Sequence, residues 1–188
     1  MMRKIFVVYF LLGTLGAFAQ TTMHEIIKLM PDTIVPYLTE NNRLDFIDFI
    51  DSGMKAEVSN TLGGKSEMLK LTDRYTLITL NEASTLQLRL FDTTIPVDSV
   101  NQIVCLVQTY GTDIRESKIA FYSAKWHRLT TSDYVTLPDD GMWIATLDEK
   151  EPILTLTSEY HLDAPANEEQ QPLPKTSIIL KWDGNFLK

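Results

Sequence analysis

The sequence predicts an α+β domain, with N-terminal helical segments packed on a large, twisted, mainly antiparallel β-sheet. Three observations carry that prediction. Hydrophobic spacing is helical over residues 24–54 and strand-like from residue 67 onward. Turn signals, such as Asp73-Arg74, Gly111-Thr112-Asp113 and Asp183-Gly184, punctuate the strand-like part. Helices segregated ahead of a run of strands is the chain order of α+β folds rather than of alternating parallel-sheet folds.

Residues 24–30 read as a short apolar-rich helix that Pro31-Asp32 interrupts. Asp32 is placed to cap a turn through Ile34 and Tyr37, with Pro36 early enough in it to be tolerated. Thr39 and Asn41 are candidate N-caps for a helix ending near Ser52-Gly53, where glycine suits the C-terminal position. On that helix Phe46, Ile47, Phe49 and Ile50 share one arc, and Asp45, Asp48 and Asp51 the other. The aspartates point outward in parallel and cannot wrap a cation, which takes about six to eight oxygens from a bent loop. The stripe therefore reads as the solvated face of an amphipathic helix.

Residues 67–72 and 75–80 form a hairpin. In 84–91, Leu86, Leu88 and Leu90 alternate with Thr85, Gln87 and Arg89, which predicts a strand with one wet face. Residues 102–108 are apolar on both faces and belong at the centre of the sheet. Strands follow at 118–122, 142–147, 153–162 and 177–182, giving one sheet of seven to nine strands. In 153–162, Leu154, Leu156, Tyr160 and Leu162 oppose Thr155, Thr157, Glu159 and His161. Residues 164–174 form a polar, proline-bearing loop, and Asp183-Gly184 is a tight two-residue hairpin turn. The organisation is thus one domain over 20–188, helical over 20–60 and a β-meander over 65–188.

The first nineteen residues read as an address. Arg3 and Lys4 precede an apolar run, and Ala17-Phe18-Ala19 is a signal-peptidase pattern, so the mature chain begins at Gln20. The run is too short for a bilayer anchor, which takes about 20 residues. The expected location is therefore outside the cytoplasm: periplasmic, or secreted as the alternative, with no stable membrane anchor in the mature chain. Losing Arg3 and Lys4 moves the net charge from −8 to −10. An acidic surface repels nucleic-acid phosphates, so nucleic acid is not an expected partner. The single cysteine, Cys105, permits no intramolecular disulfide and sits in the apolar stretch 103–107, where a thiol acts as a small hydrophobe.

Sequence motifs of catalysis fail on inspection. Gly63-Gly64-Lys65-Ser66 imitates the end of a phosphate-binding loop, but Ser59 stands where its first glycine belongs, and a strand rather than a helix follows. His24, His127 and His161 lie on separate elements without zinc-ligand spacing. No Gly-x-Ser-x-Gly elbow occurs. Glu159, flanked by Tyr160 and His161, is the nearest approach to a marked acid. No cofactor or metal is expected, and an enzyme is the less favoured reading. Aromatic side chains carry the remaining signal: Trp126, Trp143 and Tyr160 are the candidate binding residues, through stacking on a sugar or contact with a protein.

Met30-Pro31-Asp32, Pro36-Tyr37-Leu38, the Leu44-Asp45-Phe46-Ile47-Asp48 helix, residues 102–107, Lys118-Ile119-Ala120-Phe121-Tyr122 with Trp126, and Lys181-Trp182-Asp183-Gly184 form a pattern along most of the chain. In these residues it resembles an uncharacterised family of small exported bacterial proteins, a domain of unknown function. That resemblance implies an envelope setting in a double-membraned bacterium and carries no catalytic residue with it. The expected function is a non-catalytic exported binding or accessory module whose partner is another envelope or secreted protein. The alternatives are an inhibitor of an exported enzyme, inserting loop 139–141 or 164–174, and a carbohydrate-binding module.

Overall fold

A computed structural model of the chain describes residues 20–139, 141–160 and 176–188. Two helices lead, α1 (Met23–Lys28) and α2 (Glu40–Asp51). Each starts with a reciprocal cap: Thr22 with Glu25, and Thr39 with Asn42. The residues between them form turns rather than a third helix. There Asp32 does not cap; it accepts from Nη1 of the buried Arg43 at 2.7 Å.

Among the described residues ten strands follow: β1 (Ala56–Ser59), β2 (Lys65–Leu71), β3 (Tyr75–Asn81), β4 (Ser84–Val97), β5 (Val100–Tyr110), β6 (Glu116–Ser123), β7 (Arg128–Leu129), β8 (Met142–Leu147), β9 (Ile153–Tyr160) and β10 (Thr176–Lys181). They do not make one sheet. β1 to β7 form a seven-stranded antiparallel meander in chain order, while β8, β9 and β10 form a separate antiparallel sheet with β9 central. Strand structure also starts earlier than expected, at Ala56. The Gly63-Gly64 segment is the β1–β2 turn, where Asn60 Oδ1 accepts the backbone N–H groups of Leu62 and Gly64.

Two apolar clusters result. The first joins Met23, Ile26 and Ile27 of α1 and Phe46 and Ile47 of α2 to Leu86, Leu88 and Leu90 of β4 and Val104 and Leu106 of β5. The second joins Phe91, Ile103, Cys105, Val107 and Phe121 of the large sheet to Ala145, Leu147, Leu154 and Leu156 of the small one. β5 is therefore covered on both sides, as its unbroken apolar run requires.

The expected wet face of β4 is a correction. Gln87 and Arg89 are buried, at 8% and 3% exposure, beneath the small sheet. They are polar because that sheet offers polar backbone to them. Gln87 Oε1 accepts Leu147 N–H at 2.9 Å, and Arg89 donates to the carbonyls of Asp148 and Lys150 at 2.6 and 3.0 Å. Buried polar groups persist where they are hydrogen-bonded. The C-terminal turn also differs by one residue. Trp182 pairs with Leu187 and Asp183 with Phe186, so Gly184 and Asn185 are its central residues.

Candidate functional site

β4 and β5 outrun their neighbours. Pairing with β3 ends at Arg89, opposite Tyr75, and pairing with β6 ends at Ile103, opposite Ser123. Beyond those rows the ladder joins the two strands to each other, at Asp92–Gln102 and Val97–Val100. The result is a hairpin arm over residues 92–102. Thr93, Thr94, Ile95 and Pro96 bulge opposite Asn101 alone, a place where Pro96 forfeits no ladder hydrogen bond. Asp98 and Ser99 turn the arm with φ of 51° and 69°, the left-handed conformation that a two-residue hairpin turn requires.

Side chains from distant elements brace the arm. Phe91 stacks on Trp182 at 5.0 Å between ring centroids and 9° between planes, and Trp182 Nε1 donates to Asp92 O at 2.6 Å. Thr94 N–H donates to Gly184 O at 3.0 Å. At the tip, Asp98 Oδ2 lies 2.7 Å from His127 Nδ1. Hydrogen bonds from Ser123 and then His127 hold the Asp98 carboxyl below its ordinary value. Among the described residues, the non-glycine positions with left-handed φ are Asp98, Ser99 and Trp126, at or beside this contact. Such conformations persist where surrounding structure over-determines them.

A groove of about 780 Å³ runs beside the arm, bordered by Gln20, Asp92, Thr93, Pro96, Val100 and Asn101. Ile95 at the bulge is 71% exposed. The chain's entry is tied down here too. Asp92 Oδ1 meets Gln20 Nε2 at 3.2 Å, Gln102 Nε2 at 3.4 Å and Arg74 Nη2 at 2.7 Å. Thr21 N–H donates to Gln102 Oε1 at 2.9 Å.

Chemically, a carboxylate on one imidazole nitrogen resembles half of a catalytic triad, leaving Nε2 for a proton. Ser123 does not complete it, because its Oγ accepts the backbone N–H groups of Lys125 and His127. His127 is also 70% exposed, so water is not excluded. His24 is elsewhere, 3.3 Å from Asp51. Cys105 is fully buried, and burial pushes its thiol well up. Among the described residues no three His, Cys, Asp or Glu side chains gather as a potential metal site.

The aromatic candidates part company. Trp126 is 7% exposed inside the first cluster, with Nε1 donating to Ile26 O at 3.0 Å, so its ring offers no face to a ligand. Trp143 lies on β8 and, with Ser117, Ile119, Leu137, Pro138 and Leu156, lines a cleft of about 170 Å³. The backbone of Tyr160 pairs with Met142, which places it beside Trp143 at the same end of the small sheet. The side chains of Glu159 and Tyr160, His161 and loop 164–174 lie outside the described residues, and so does Asp140 of loop 139–141. The arm itself escaped sequence reasoning. Its turn is Asp-Ser rather than the Asn-Gly or Asp-Gly that marks such hairpins, and Asp98 finds His127 across 29 positions.

No curated protein matches the chain. It is similar to the solved structure of a domain of an uncharacterized protein from Porphyromonas gingivalis W83, with a TM-score of 0.71 at 16% identity. That likeness covers 90% of this chain and 98% of the other, and at this identity it speaks for the fold alone. A family model described as "Protein of unknown function (DUF3256)" matches residues 14–164, and the chain belongs to that family.

Proposed function

We propose that the protein is a non-catalytic, exported binding module of the bacterial envelope, and that it meets a partner protein through the β4–β5 arm. One observation carries the reading. The arm projects past both neighbouring strands, displays Ile95 and Pro96 at its bulge, and is braced by the C-terminal Trp182 turn, by His127 and by Arg74. A braced projecting edge presents a fixed apolar surface without the ordering cost of a loose loop. The leader-like residues 1–19 support an extracytoplasmic location. Inhibition of an exported enzyme is a special case of the same reading, with the arm as the inserted element.

The test is crosslinking of the mature chain in its native envelope, read by mass spectrometry, beside an Ile95→Asp variant of unchanged thermal midpoint. One partner recovered with the wild type and lost with the variant is the expected result. A partner retained by Ile95→Asp removes the arm from the reading. Recovery of the chain alone removes the partner.

A further inference from the structure

We infer that the outer edge of the small sheet pairs with itself: β10 of one copy adds antiparallel to β10 of a second copy, giving a two-fold dimer. The two three-stranded sheets then run on as one sheet. The β4–β5 arm takes no part, so the dimer stands or falls apart from the function proposed above.

Edge strands carry unpaired N–H and C=O groups, which folded proteins cover, shorten or satisfy by other means. Among the described residues, three of the four sheet edges are closed in this way. On β1, the outward Glu57 N–H donates to Lys55 O at 3.1 Å, and the outward Ser59 O accepts from Asn42 Nδ2 at 3.2 Å. β7 is only two residues long. On β8, the outward N–H groups of Ala145 and Leu147 donate to Ser117 Oγ and Gln87 Oε1 of the large sheet, both at 2.9 Å.

β10 is left open. Along it, backbone groups alternate between β9 and the outer side. Trp182 N–H donates inward to Pro152 O at 2.9 Å, whereas Lys181 N–H donates outward to Lys188 O at 2.8 Å, and Lys188 N–H returns to Lys181 O at 3.1 Å. The same alternation turns Ser177 and Ile179 outward, and there their backbone groups meet no partner among the described residues. Ile179 is 60% exposed.

This pattern of open groups is self-complementary. In an antiparallel pair centred on Ile178, Ser177 lies opposite Ile179 of the second copy, and Ile179 opposite its Ser177. Each opposed couple exchanges both N–H···O bonds, so every open group on both copies is used. The overlap runs from Thr176, where β10 starts, to Leu180, just before the position that Lys188 closes. The Ile179 side chains become diagonal neighbours on one face and withdraw apolar surface from water. Each copy offers one such edge, so association stops at two.

Sedimentation equilibrium of residues 20–188 tests the pairing. Both apolar clusters draw only on residues 23–187, so this chain contains the whole described core. So short a strand pair buries less than the about 1,200 Å² of a standard complex, so runs extend to about 1 mM protein. Salt at about 0.15 M screens the repulsion between two acidic copies. The expected result is a monomer–dimer equilibrium with no larger species. Ser177→Pro deletes an outward N–H and leaves every backbone bond to β9, an exchange that an edge strand tolerates. It takes two of the four bonds from the dimer and weakens association about 30-fold. Ile179→Lys sets two cations on the diagonal and weakens it about 10-fold. A chain that stays monomeric throughout overturns the proposal and leaves the edge to a strand of another protein. A Ser177→Pro chain of unchanged thermal midpoint that dimerises like the wild type also overturns it. If Ser177→Pro fails to fold, Ile179→Lys decides, and association equal to that of the wild type overturns the pairing.

Discussion

Arg89 gives the sharpest test of how the two sheets are joined. Its guanidinium is buried between them, donates to two carbonyls of the β8–β9 turn, and leaves Nε without a partner. Burial, with Arg74 nearby, pushes its pKa down, so the fold resists this charge while using it. Replacing it by Met keeps most of the volume and removes the charge. Two hydrogen bonds from a charged donor are lost, at about 1.5 kcal/mol each because both carbonyls sit on exposed turn residues that water can reach. Against that, an orphaned Nε and a desolvated cation are relieved, which returns roughly 1–2 kcal/mol. Arg89→Met should therefore cost only about 1–2 kcal/mol. Arg89→Ala loses the same bonds and opens a cavity under the small sheet, adding about 2–3 kcal/mol. Urea unfolding followed by tryptophan fluorescence measures both, with an unchanged denaturant slope as the check that the native state is intact. If Met proves as costly as Ala, the reasoning is refuted, because the guanidinium bonds rather than filled volume would then hold the sheets together.

Three further outcomes are expected. Cys105, fully buried with its thiol pushed up by desolvation, should resist a thiol reagent in the native state and react only as fast as the protein unfolds; rapid stoichiometric labelling contradicts its placement. Asp183 is pulled down to about 2 by Lys188 and then by the N–H groups of Phe186 and Asn185, so its contribution is complete above the ordinary carboxylate range. That contribution disappears as pH falls from about 4 toward 2, and Asp183→Asn should flatten this part of a stability–pH profile. Gly111 has φ of 102°, and a Cβ there would stand 1.9 Å from Ile114 O. Gly111→Ala should cost upward of ~3 kcal/mol, against ~1 kcal/mol for Gly53→Ala, where φ is unfavourable but space is open; equal thermal shifts would count against the turn geometry.

Local chemistry made much of the fold legible. Thr39 caps α2, Phe46 and Ile47 face inward and Asp45, Asp48 and Asp51 outward, because a 3.6-residue period encodes the buried face of a helix within one segment. The apolar run of β5 likewise marks a strand covered on both sides, and Cys105 within it is buried as its neighbours require. Nothing local marks the arm, which exists because β4 and β5 continue where β3 and β6 stop. Its brace unites Asp98 with His127 and Asp92 with Trp182, pairs that no spacing announces. Trp126 and Trp143 look alike as sequence, yet one lies inside the core and the other beside a cleft, since the cluster a strand joins depends on its distant partners.

Gln87 and Arg89 mark the boundary between the two kinds of information. Alternation by itself determined that they share the face of β4 opposite Leu86 and Leu88, because side chains on a strand alternate with a period of two. Only the tertiary structure decided that this face is covered. The small sheet, whose strands begin 53 residues beyond Arg89, brings Leu147 N–H and the carbonyls of Asp148 and Lys150 over it. Polar side chains there satisfy buried backbone groups that water would satisfy at a surface, so composition alone does not distinguish the two settings.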